Sequence, residues 1–320
     1  MRISPNLVSK SADAGHAPLT PWDKIGLGVL LLACLLMGVM VEWRSAFMTN
    51  RKTDFGCFAR GGWAVIADKS PYAIVDDNDW HFAYAPVIAV FFAPWADAPK
   101  GEPQPLFAIP YPVGVGLWYV LSLFFLGSAI HLLANLLQSN SPNLGVRLTP
   151  RYSRRWWYAR TLPFLFCFGP IGCVMSRGQV NFMVLFFVAM LLTAWAAQRR
   201  WLAGAWLAAA ILLKVIPVFL LLFPLWRRNW QMLGGVVFAL LFGVVVIPTL
   251  VWGPHKALEV HRSFGEEVLL PAFVRDGDQT RAEELHNLTA TDNQSFQAIL
   301  HFYRYPDETT RPPHADTSTR

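Results

Sequence analysis

A series of long apolar runs, separated by short polar segments, constrains the fold more than any other feature of the sequence. The runs cover residues 25–41, 84–95, 106–137, 162–175, 182–197, 201–213, 218–226 and 232–252. Apolar residues make up 54% of the chain and charged residues only 15%, whereas a soluble domain carries about 25% charged residues. Because a helix of about 20 mainly apolar residues crosses a bilayer, the pattern predicts an all-α polytopic membrane protein.

Basic residues cluster in the short segments between the apolar runs. Arg199-Arg200 and Arg227-Arg228 are paired arginines of this kind. Cytoplasmic loops of membrane proteins are enriched in Lys and Arg, so we expect both pairs in the cytoplasm. The formal net charge of +6 is therefore attributed to membrane topology, with membrane lipids as the expected surroundings and no nucleic-acid partner.

The polar segments divide the chain into three parts. Residues 1–24 are predicted to form a disordered cytoplasmic N-terminus, and residues 25–252 a multi-span transmembrane domain. Within that domain lies an outer loop at 42–83, whose aromatic spacing from Phe55 onwards predicts one or two amphipathic helices on the membrane surface. Residues 253–320 are predicted to form a polar tail on the outer face. The expected location is the cell membrane, a bacterial inner membrane.

Two of the apolar runs are too short to cross a bilayer alone, and they meet at a break. Runs 201–213 and 218–226 are separated by the sequence KVIP, which ends in Pro217. Proline removes a backbone donor and disfavours helical backbone at the residue before it. We therefore expect two half-length helices that meet within the membrane. Run 84–95 is expected to be either a re-entrant segment or a short tilted span.

Asp54 is the strongest candidate for a catalytic residue. It opens the amphipathic stretch of the outer loop, shortly after the first span. A carboxylate there could serve as a helix N-cap, a position at which Asp is among the preferred residues. It could also act as a general base held at the membrane surface. Residue chemistry taken alone favours the cap.

Lys214 is the only charged residue between Trp201 and Trp226. An unpaired charge inside a bilayer costs several kcal/mol, and such residues usually mark a functional site. We expect Lys214 to be the counter-charge of an anionic lipid phosphate. The alternative is that its flexible stem carries the ammonium to the interface, or that it pairs with a structural carboxylate.

Arg177, Gln179 and Asn181 form a polar cluster at the start of an otherwise apolar helix. The N-terminus of a helix offers free backbone N–H groups and the positive end of its dipole, which suits phosphate or sugar hydroxyls. The cluster is therefore predicted to bind substrate. Structural capping of the helix is the alternative.

Three further residues are candidates for substrate binding. Asn293 and Gln294 lie in the sequence DNQS, whose short polar side chains would either hydrogen-bond a sugar or cap a helix over 296–302. Tyr84 is the first residue of the short apolar run 84–95, and aromatic side chains of this kind gather at the membrane–water interface.

The sequence shows no evident cluster of metal ligands. Its 4 cysteines form no C-x-x-C pair, and no His/Cys cluster with ligand spacing accompanies them. Asp68 and the run Asp76–Asp79 are interpreted as a solvated loop, with a metal site there as the alternative. Neither a metal nor an organic cofactor is expected.

Five segments, in their order along the chain, resemble glycosyltransferase family 87, the polyprenol-phosphate-mannose-dependent alpha-(1-2)-mannosyltransferases of the GT-C superfamily. The segments are TDFGCFARGGWAVIADKSPYA, FAYAPVIAVFFAPWA, RGQVNFMVLFF, AGAWLAAAILLKVIPVFLLLFPLWRRNW and DNQSFQAIL. The Gly-Gln-x-Asn helix start and the lone Lys before a Pro are the most specific of these elements. The resemblance extends over about residues 25–302.

The resemblance implies a multi-span GT-C-like enzyme whose active site faces away from the cytoplasm. The family's catalytic acid falls on Asp54, which would deprotonate an acceptor hydroxyl as that oxygen attacks the anomeric carbon with inversion. The implied donor is a hexose, mannose, on polyprenyl phosphate, and the implied acceptor is lipid-linked or a glycan. Lys214 or Arg177 would stabilise the leaving phosphate without a metal.

Two other interpretations are compatible with the sequence. Broken helices around a charge at the membrane midplane also occur in transporters and lipid flippases, although no internal repeat is visible here. Relatives in the family usually continue with several more spans after DNQSFQAIL, whereas this chain ends in HADTSTR. The chain is therefore expected to be truncated relative to the family, and an inactive truncated homologue is the second alternative.

Overall fold

The computed structural model describes residues 18–48, 53–77, 80–139, 151–270 and 303–304. Within these ranges every regular element is helical, apart from one isolated antiparallel bridge between Val75 and His81. The helices are α1 (Pro21–Glu42), α2 (Asp54–Ile66), α3 (Pro86–Phe92), α4 (Tyr111–Ser139), α5 (Arg154–Phe166), α6 (Phe168–Arg177), α7 (Asn181–Ala196), α8 (Arg200–Leu213), α9 (Leu222–Trp226), α10 (Trp230–Leu241), α11 (Ile247–Trp252) and α12 (Pro254–Phe264). Turns of 3-10 helix cover Pro71–Ala73, Ala93–Trp95 and Ile216–Leu221, and turns of π-helix cover Trp43–Phe47, Phe242–Val246 and Gly265–Leu269.

Three helical stretches of the described chain are long and apolar enough to cross a membrane. They are Pro21–Phe47, Tyr111–Gln138 and Trp230–Trp252. The pair α5 and α6, bent by 66° at a short break, would together form a fourth. The prediction of an all-α polytopic membrane protein is confirmed.

The first membrane helix begins at Pro21, earlier than the predicted residue 25. The hydroxyl of Thr20 accepts a hydrogen bond from the Asp23 N–H at 3.2 Å, and the Asp23 carboxylate accepts one from the Thr20 N–H at 2.8 Å. This reciprocal capping pairs backbone groups that a helix start leaves without partners. The Asp23 carboxylate also pairs with Arg154 of α5 at 3.0 Å. Because the prediction followed only apolar residues, it missed this polar first turn.

Helices α8 and α10 approach each other closely at glycine. A Cβ added to Gly204 of α8 would collide with the main-chain oxygen of Met232, and one added to Gly235 of α10 would collide with that of Trp201. Small residues at a helix interface allow such close packing, which supplies much of helix association in a membrane. Helix α8, which ends just before Lys214, is therefore closely packed against α10.

Replacement of Gly204 by Ala is expected to destabilise this helix pair. The added methyl group has no space, and overpacking of this kind costs about 1–3 kcal/mol. Thermal unfolding of the detergent-solubilised protein would measure the loss as a lower midpoint. Gly127→Ala is the matched control, because open space surrounds the added Cβ in α4 and Ala favours a helix over Gly. Equal midpoints for the two variants would contradict this account.

The predicted helix of the outer loop is present as α2, and it is buried among other segments of the chain instead of presenting a polar face to water. Residues from Cys57 to Ala64 are all buried. The Phe58 ring stacks on Phe92 of α3 with ring centroids 4.7 Å apart, and a Cβ added to Gly62 would collide with the main chain at Phe92. The glycines on the face predicted to contact water therefore allow another segment of the chain to pack there.

Helix α3 and the turn Ala93–Trp95 form the segment whose topology the sequence left open. Together they cover Pro86–Trp95, a helical stretch of 10 residues. A helix of this length spans about 15 Å, roughly half the hydrocarbon thickness of a bilayer. Its length and its packing against α2 favour the re-entrant segment over the short span.

Arg60 holds the outer segments together from inside α2. Its side chain is buried, with 4% of the residue exposed. The guanidinium pairs with Asp77 at 3.0 Å and with Asp97 at 3.5 Å. A buried cation with two carboxylate partners fixes geometry more than it adds net stability, so Arg60 links the loops on either side of α3 to α2.

The chain divides into two compact units, Met1–Ala257 and Leu258–Arg320. All the described candidate site residues belong to the first unit. In the second, Arg262 and Glu266 form an ion pair at 2.7 Å across one helical turn. The predicted division at 24/25 and 252/253 stays a prediction. Asn293, Gln294 and the predicted helix over 296–302 lie outside the described residues.

Candidate active site

Asp54 is the first residue of α2, and Thr53 occupies the N-cap position. The interpretation of Asp54 as the N-cap is therefore wrong. Its carboxylate instead accepts a hydrogen bond from the side chain of Gln179. A carboxylate in the first turn also interacts favourably with the positive end of the helix dipole. Asp54 is thus directed at a distant segment of the chain and not at its own backbone.

A sharp turn between α6 and α7 presents Gln179 to Asp54. Gly178 ends α6 with φ of +65°, a left-handed conformation that glycine adopts without steric cost. The Trp118 indole N–H donates to the Gly178 carbonyl oxygen at 2.8 Å. A Cβ added to Gly178 would lie 3.1 Å from the Cβ of Phe55. The turn is therefore held directly against the residue that follows Asp54.

The polar cluster predicted at the start of α7 is divided between two helices. Arg177 is the last residue of α6, and α7 begins at Asn181. The Asn181 side-chain amide donates to Oε1 of Gln179 at 2.6 Å, which leaves the Gln179 N–H groups to face Asp54. The prediction that all three residues belong to the helix start is wrong, because Gly178 introduces a turn that the apolar pattern does not reveal.

Lys214 lies at the predicted break, and the break is confirmed. Its backbone is extended, with φ of −146° and ψ of 139°, and the 3-10 turn Ile216–Leu221 follows. The side chain is half-buried. Among the described residues no carboxylate stands in ion-pair contact with the ammonium, and its positive charge acts on Asp54 through space.

Electrostatic interactions connect residues from four separate segments at Asp54. Burial raises the pKa of Asp54 from its ordinary value of 3.8 to about 6. The positive charges of Arg177 and Lys214, with the hydrogen bond from Gln179, act in the opposite direction, and the negative charge of Asp76 adds to the increase. A general base is most effective when its pKa lies near the working pH, so Asp54 is suited to that role.

Tyr84 lies beside the same carboxylate. Its ring packs edge-on against Phe58 at 4.9 Å, and its carbonyl oxygen accepts a hydrogen bond from the Tyr72 hydroxyl at 2.7 Å. Burial, together with the negative charge of Asp54, raises the pKa of Tyr84 above its usual range. The hydroxyl therefore stays protonated and can donate. The structure brings Tyr84 together with Asp54, as a shared site requires.

Asp76 is a charged residue of this site, although the sequence around it favours a solvated loop. The interpretation as a solvated residue is wrong for Asp76, because only 5% of it is exposed. Its Oδ1 accepts a hydrogen bond from the Trp80 N–H at 3.0 Å, and its own N–H donates to the Trp80 carbonyl oxygen at 3.0 Å. No local signal separates Asp76 from the neighbouring Asp77, which remains exposed.

Two acidic residues of the outer loop have basic partners. Asp68 pairs with Lys256, and Asp77 pairs with Arg60. In the part of the chain that the structure describes, no group of three or more His, Cys, Asp or Glu side chains is placed to hold a metal ion. The candidate site instead combines the carboxylates of Asp54 and Asp76 with cationic side chains.

Comparison with known proteins gives one family and one curated relative. A model of Glycosyltransferase family 87 matches residues 82–312. A polyprenol-phosphate-mannose-dependent alpha-(1-2)-phosphatidylinositol mannoside mannosyltransferase of Mycolicibacterium smegmatis (strain ATCC 700084 / mc(2)155) is 28% identical over 226 residues, or 68% of this chain and 47% of the relative. The chain therefore spans about half the length of that relative. No solved structure matches.

The family match covers most of the candidate site but not all of it. It includes Tyr84, Arg177, Gln179, Lys214 and the rest of the chain up to residue 312, whereas Asp54 lies before residue 82, where the match begins. The case for Asp54 as a site residue therefore depends on the structure, in which it lies close to residues that the match covers. With a match that extends over more than half of its length, the chain belongs to glycosyltransferase family 87.

Proposed function

We propose that this membrane protein transfers a hexose, mannose, from polyprenyl phosphate to a hydroxyl of a lipid-linked or glycan acceptor. The observation that carries the proposal is the meeting of Asp54 with Arg177 and Lys214, which come from three separate helical segments. One partly buried carboxylate beside two cations suits an acid–base step on a substrate that bears phosphate. The relative from Mycolicibacterium smegmatis supports the donor class, because its name specifies polyprenol-phosphate mannose.

The reaction that suits this site is a single displacement with inversion. The acceptor oxygen attacks the anomeric carbon of the sugar, and its proton passes to the carboxylate of Asp54. The bond between the anomeric carbon and the phosphate oxygen breaks, so polyprenyl phosphate leaves with the bonding electron pair. A base must lie within hydrogen-bond reach of the hydroxyl that it deprotonates, and the hydrogen bond from Gln179 orients Asp54 for this task.

The two cations have a separate role on the leaving group. The donor phosphodiester carries one negative charge, and the departing phosphate monoester carries a second as the bond breaks. Preorganised positive groups stabilise charge that develops in the transition state. Arg177 and Lys214 can supply this without a metal ion. Tyr84 and Asn181 are proposed to bind sugar hydroxyls, and Asn293 and Gln294 remain predicted sugar contacts.

The active site is proposed to face outward from the cell membrane. Loops that contain paired arginines mark the cytoplasmic side, and these loops lie at the ends of the helices opposite to the site. Single cysteines at Lys100 and Arg199, both exposed, would test this in a background without the native cysteines. An impermeant maleimide applied to intact spheroplasts should label the first and spare the second. Everted vesicles should give the reverse pattern. Labelling of both positions from one side would contradict the proposed topology.

Transfer from a radiolabelled polyprenyl-phosphate mannose, in membranes that overproduce the chain, tests the activity itself. Labelled glycolipid or glycan should appear above the level of membranes without the chain. The same membranes should be supplied with polyprenyl-phosphate glucose, which reports on the identity of the sugar. Movement of intact donor across the bilayer without a transferred product would support the flippase interpretation instead.

A further inference from the structure

Asp76 is a buried carboxylate that the proposed reaction does not use. The segment that carries it is held on two sides. On one side the bridge between Val75 and His81 and the paired backbones of Asp76 and Trp80 close the loop. On the other side the next residue, Asp77, is paired with the buried Arg60 of α2. The position of Asp76 is thus determined by several independent contacts.

The side chain of Asp76 lies against the first turn of α2. Its Oδ2 is 3.6 Å from the point where a Cβ on Gly56 would stand, and the Tyr111 hydroxyl is 3.4 Å from the same point. Gly56 is two residues after Asp54, in the same helical turn. The Asp76 carboxylate thus lies within van der Waals distance of this turn, where the positive end of the helix dipole favours a negative charge.

We propose that Asp76 is a positioning residue that acts through Asp54. Its buried carboxylate holds the first turn of α2 in place and adds a negative charge beside the proposed base. The kinetic consequences of this role rest on the proposed function, whereas the contacts of Asp76 do not depend on it. Among the described residues, the negative charge of Asp76 raises the pKa of Asp54, whereas the positive charges of Arg177 and Lys214 lower it.

Of the charged groups around α2 in the described chain, Asp76 is the one suited to act on Asp54 in this way. Helix α3 and the turn Ala93–Trp95, which pack on α2, contain no charged residue. The carboxylates of Asp77 and Asp97 are paired with Arg60. Tyr84 is protonated and neutral. A like charge near a carboxylate raises its pKa, so loss of the Asp76 charge makes Asp54 a weaker base that ionises at lower pH.

The decisive experiment is the pH dependence of kcat/KM for Asp76→Asn, which keeps an acceptor for the Trp80 N–H. The acid limb should move to lower pH, so that the fraction of plateau activity retained at pH 5 rises by roughly two- to fivefold. The plateau itself should fall, because a weaker base transfers the proton less effectively. Merely structural damage would lower activity across the profile without moving the limb.

Asp77→Asn is the matched control, since it removes the adjacent carboxylate but leaves the one that lies against Gly56. Its acid limb should coincide with that of the wild type. An unmoved limb in a folded Asp76→Asn protein would overturn the inference, as would an equal shift in Asp77→Asn. Asp76→Ser offers a second neutral variant that retains an acceptor. If neither neutral variant folds, Asp76 is a structural residue and the inference fails.

A readout without turnover separates this inference from the proposed function. Dicyclohexylcarbodiimide modifies protonated carboxyl groups in apolar surroundings, and mass spectrometry would give the modified fraction of Asp54 at each pH. The midpoint should be lower in Asp76→Asn than in the wild type, whether or not sugar is transferred. An unchanged midpoint would reject the role of Asp76 alone. A shifted midpoint in a protein without transfer activity would reject the proposed function alone.

Discussion

Replacement of Asp54 by Asn is expected to lower kcat for sugar transfer by about 10²–10⁴-fold, the usual contribution of a general base. Asn keeps the size of the side chain and can still face Gln179, but it cannot accept the proton of the acceptor hydroxyl. Donor affinity should change little, because the cations proposed to bind phosphate remain. Steady-state transfer with varied donor, at matched protein levels in membranes, would separate kcat from KM.

The wild-type pH profile gives this prediction a second test. Asp54 must be ionised to act as a base, and burial raises its pKa to about 6. Activity should therefore be present above this pH and decline as the pH falls through it. Asp68→Asn is the matched control, since Asp68 is exposed and pairs with Lys256. Near-wild-type transfer by Asp54→Asn would show that Asp54 is not the base.

Replacement of Lys214 by Met should weaken donor binding by at least about fivefold. Its half-buried ammonium would meet phosphate in a poorly hydrated place, so the pair should contribute more than the ~0–1 kcal/mol of a surface ion pair. Met keeps the length of the stem and loses the charge. The expected result is a higher KM for the polyprenyl-phosphate sugar, with normal insertion into the membrane. Direct binding of labelled donor would measure the effect independently of turnover.

Two variants control for the charge and for the geometry at Lys214. Lys100→Met removes an exposed ammonium in the segment between α3 and α4 and should leave donor binding unchanged. Lys214→Arg should recover part of the loss, because a planar guanidinium does not replace a compact ammonium. If Lys214→Met binds donor as tightly as the wild type, the phosphate site would have to depend on Arg177 instead.

Family membership also bears on the transporter alternative that the sequence left open. A broken helix with a lone charge is compatible with a transporter, and the break at Lys214 is present. The match to Glycosyltransferase family 87 over residues 82–312 favours the enzyme. Asp54 lies outside the matched residues, so its proposed role as the base depends on the geometry around it and not on the match.

Several parts of the site could be predicted because their signals are local. Pro217 and the lone charge at Lys214 marked the break, since proline and an intramembrane charge each have consequences within a few residues. Gln179 is recognisable as a polar residue before an apolar run. Arg177 is recognisable for the same reason, but the sequence indicates the wrong helix for it, because a left-handed glycine can end one helix just before another begins.

Other parts could not be predicted because they depend on contacts between distant segments. The amphipathic spacing of α2 indicated a helix with one face toward water. In the structure, α3 covers that face, and Gly62 permits the approach. Asp76 and Asp77 are adjacent and chemically equal, yet one is buried beside Gly56 and the other pairs with Arg60.

By itself, the sequence determined that this protein is a helical membrane protein, where its apolar helices break, and which residue types could serve its chemistry. These properties follow from hydrophobicity, proline and charge, which act over short distances along the chain. The tertiary structure alone decided which candidates meet. Asp54, Gln179, Lys214 and Asp76 come together because a glycine turn, a buried arginine and close helix packing place separate segments side by side. Burial and like charge then set the basicity of Asp54, and neither is a property of its neighbours in the sequence.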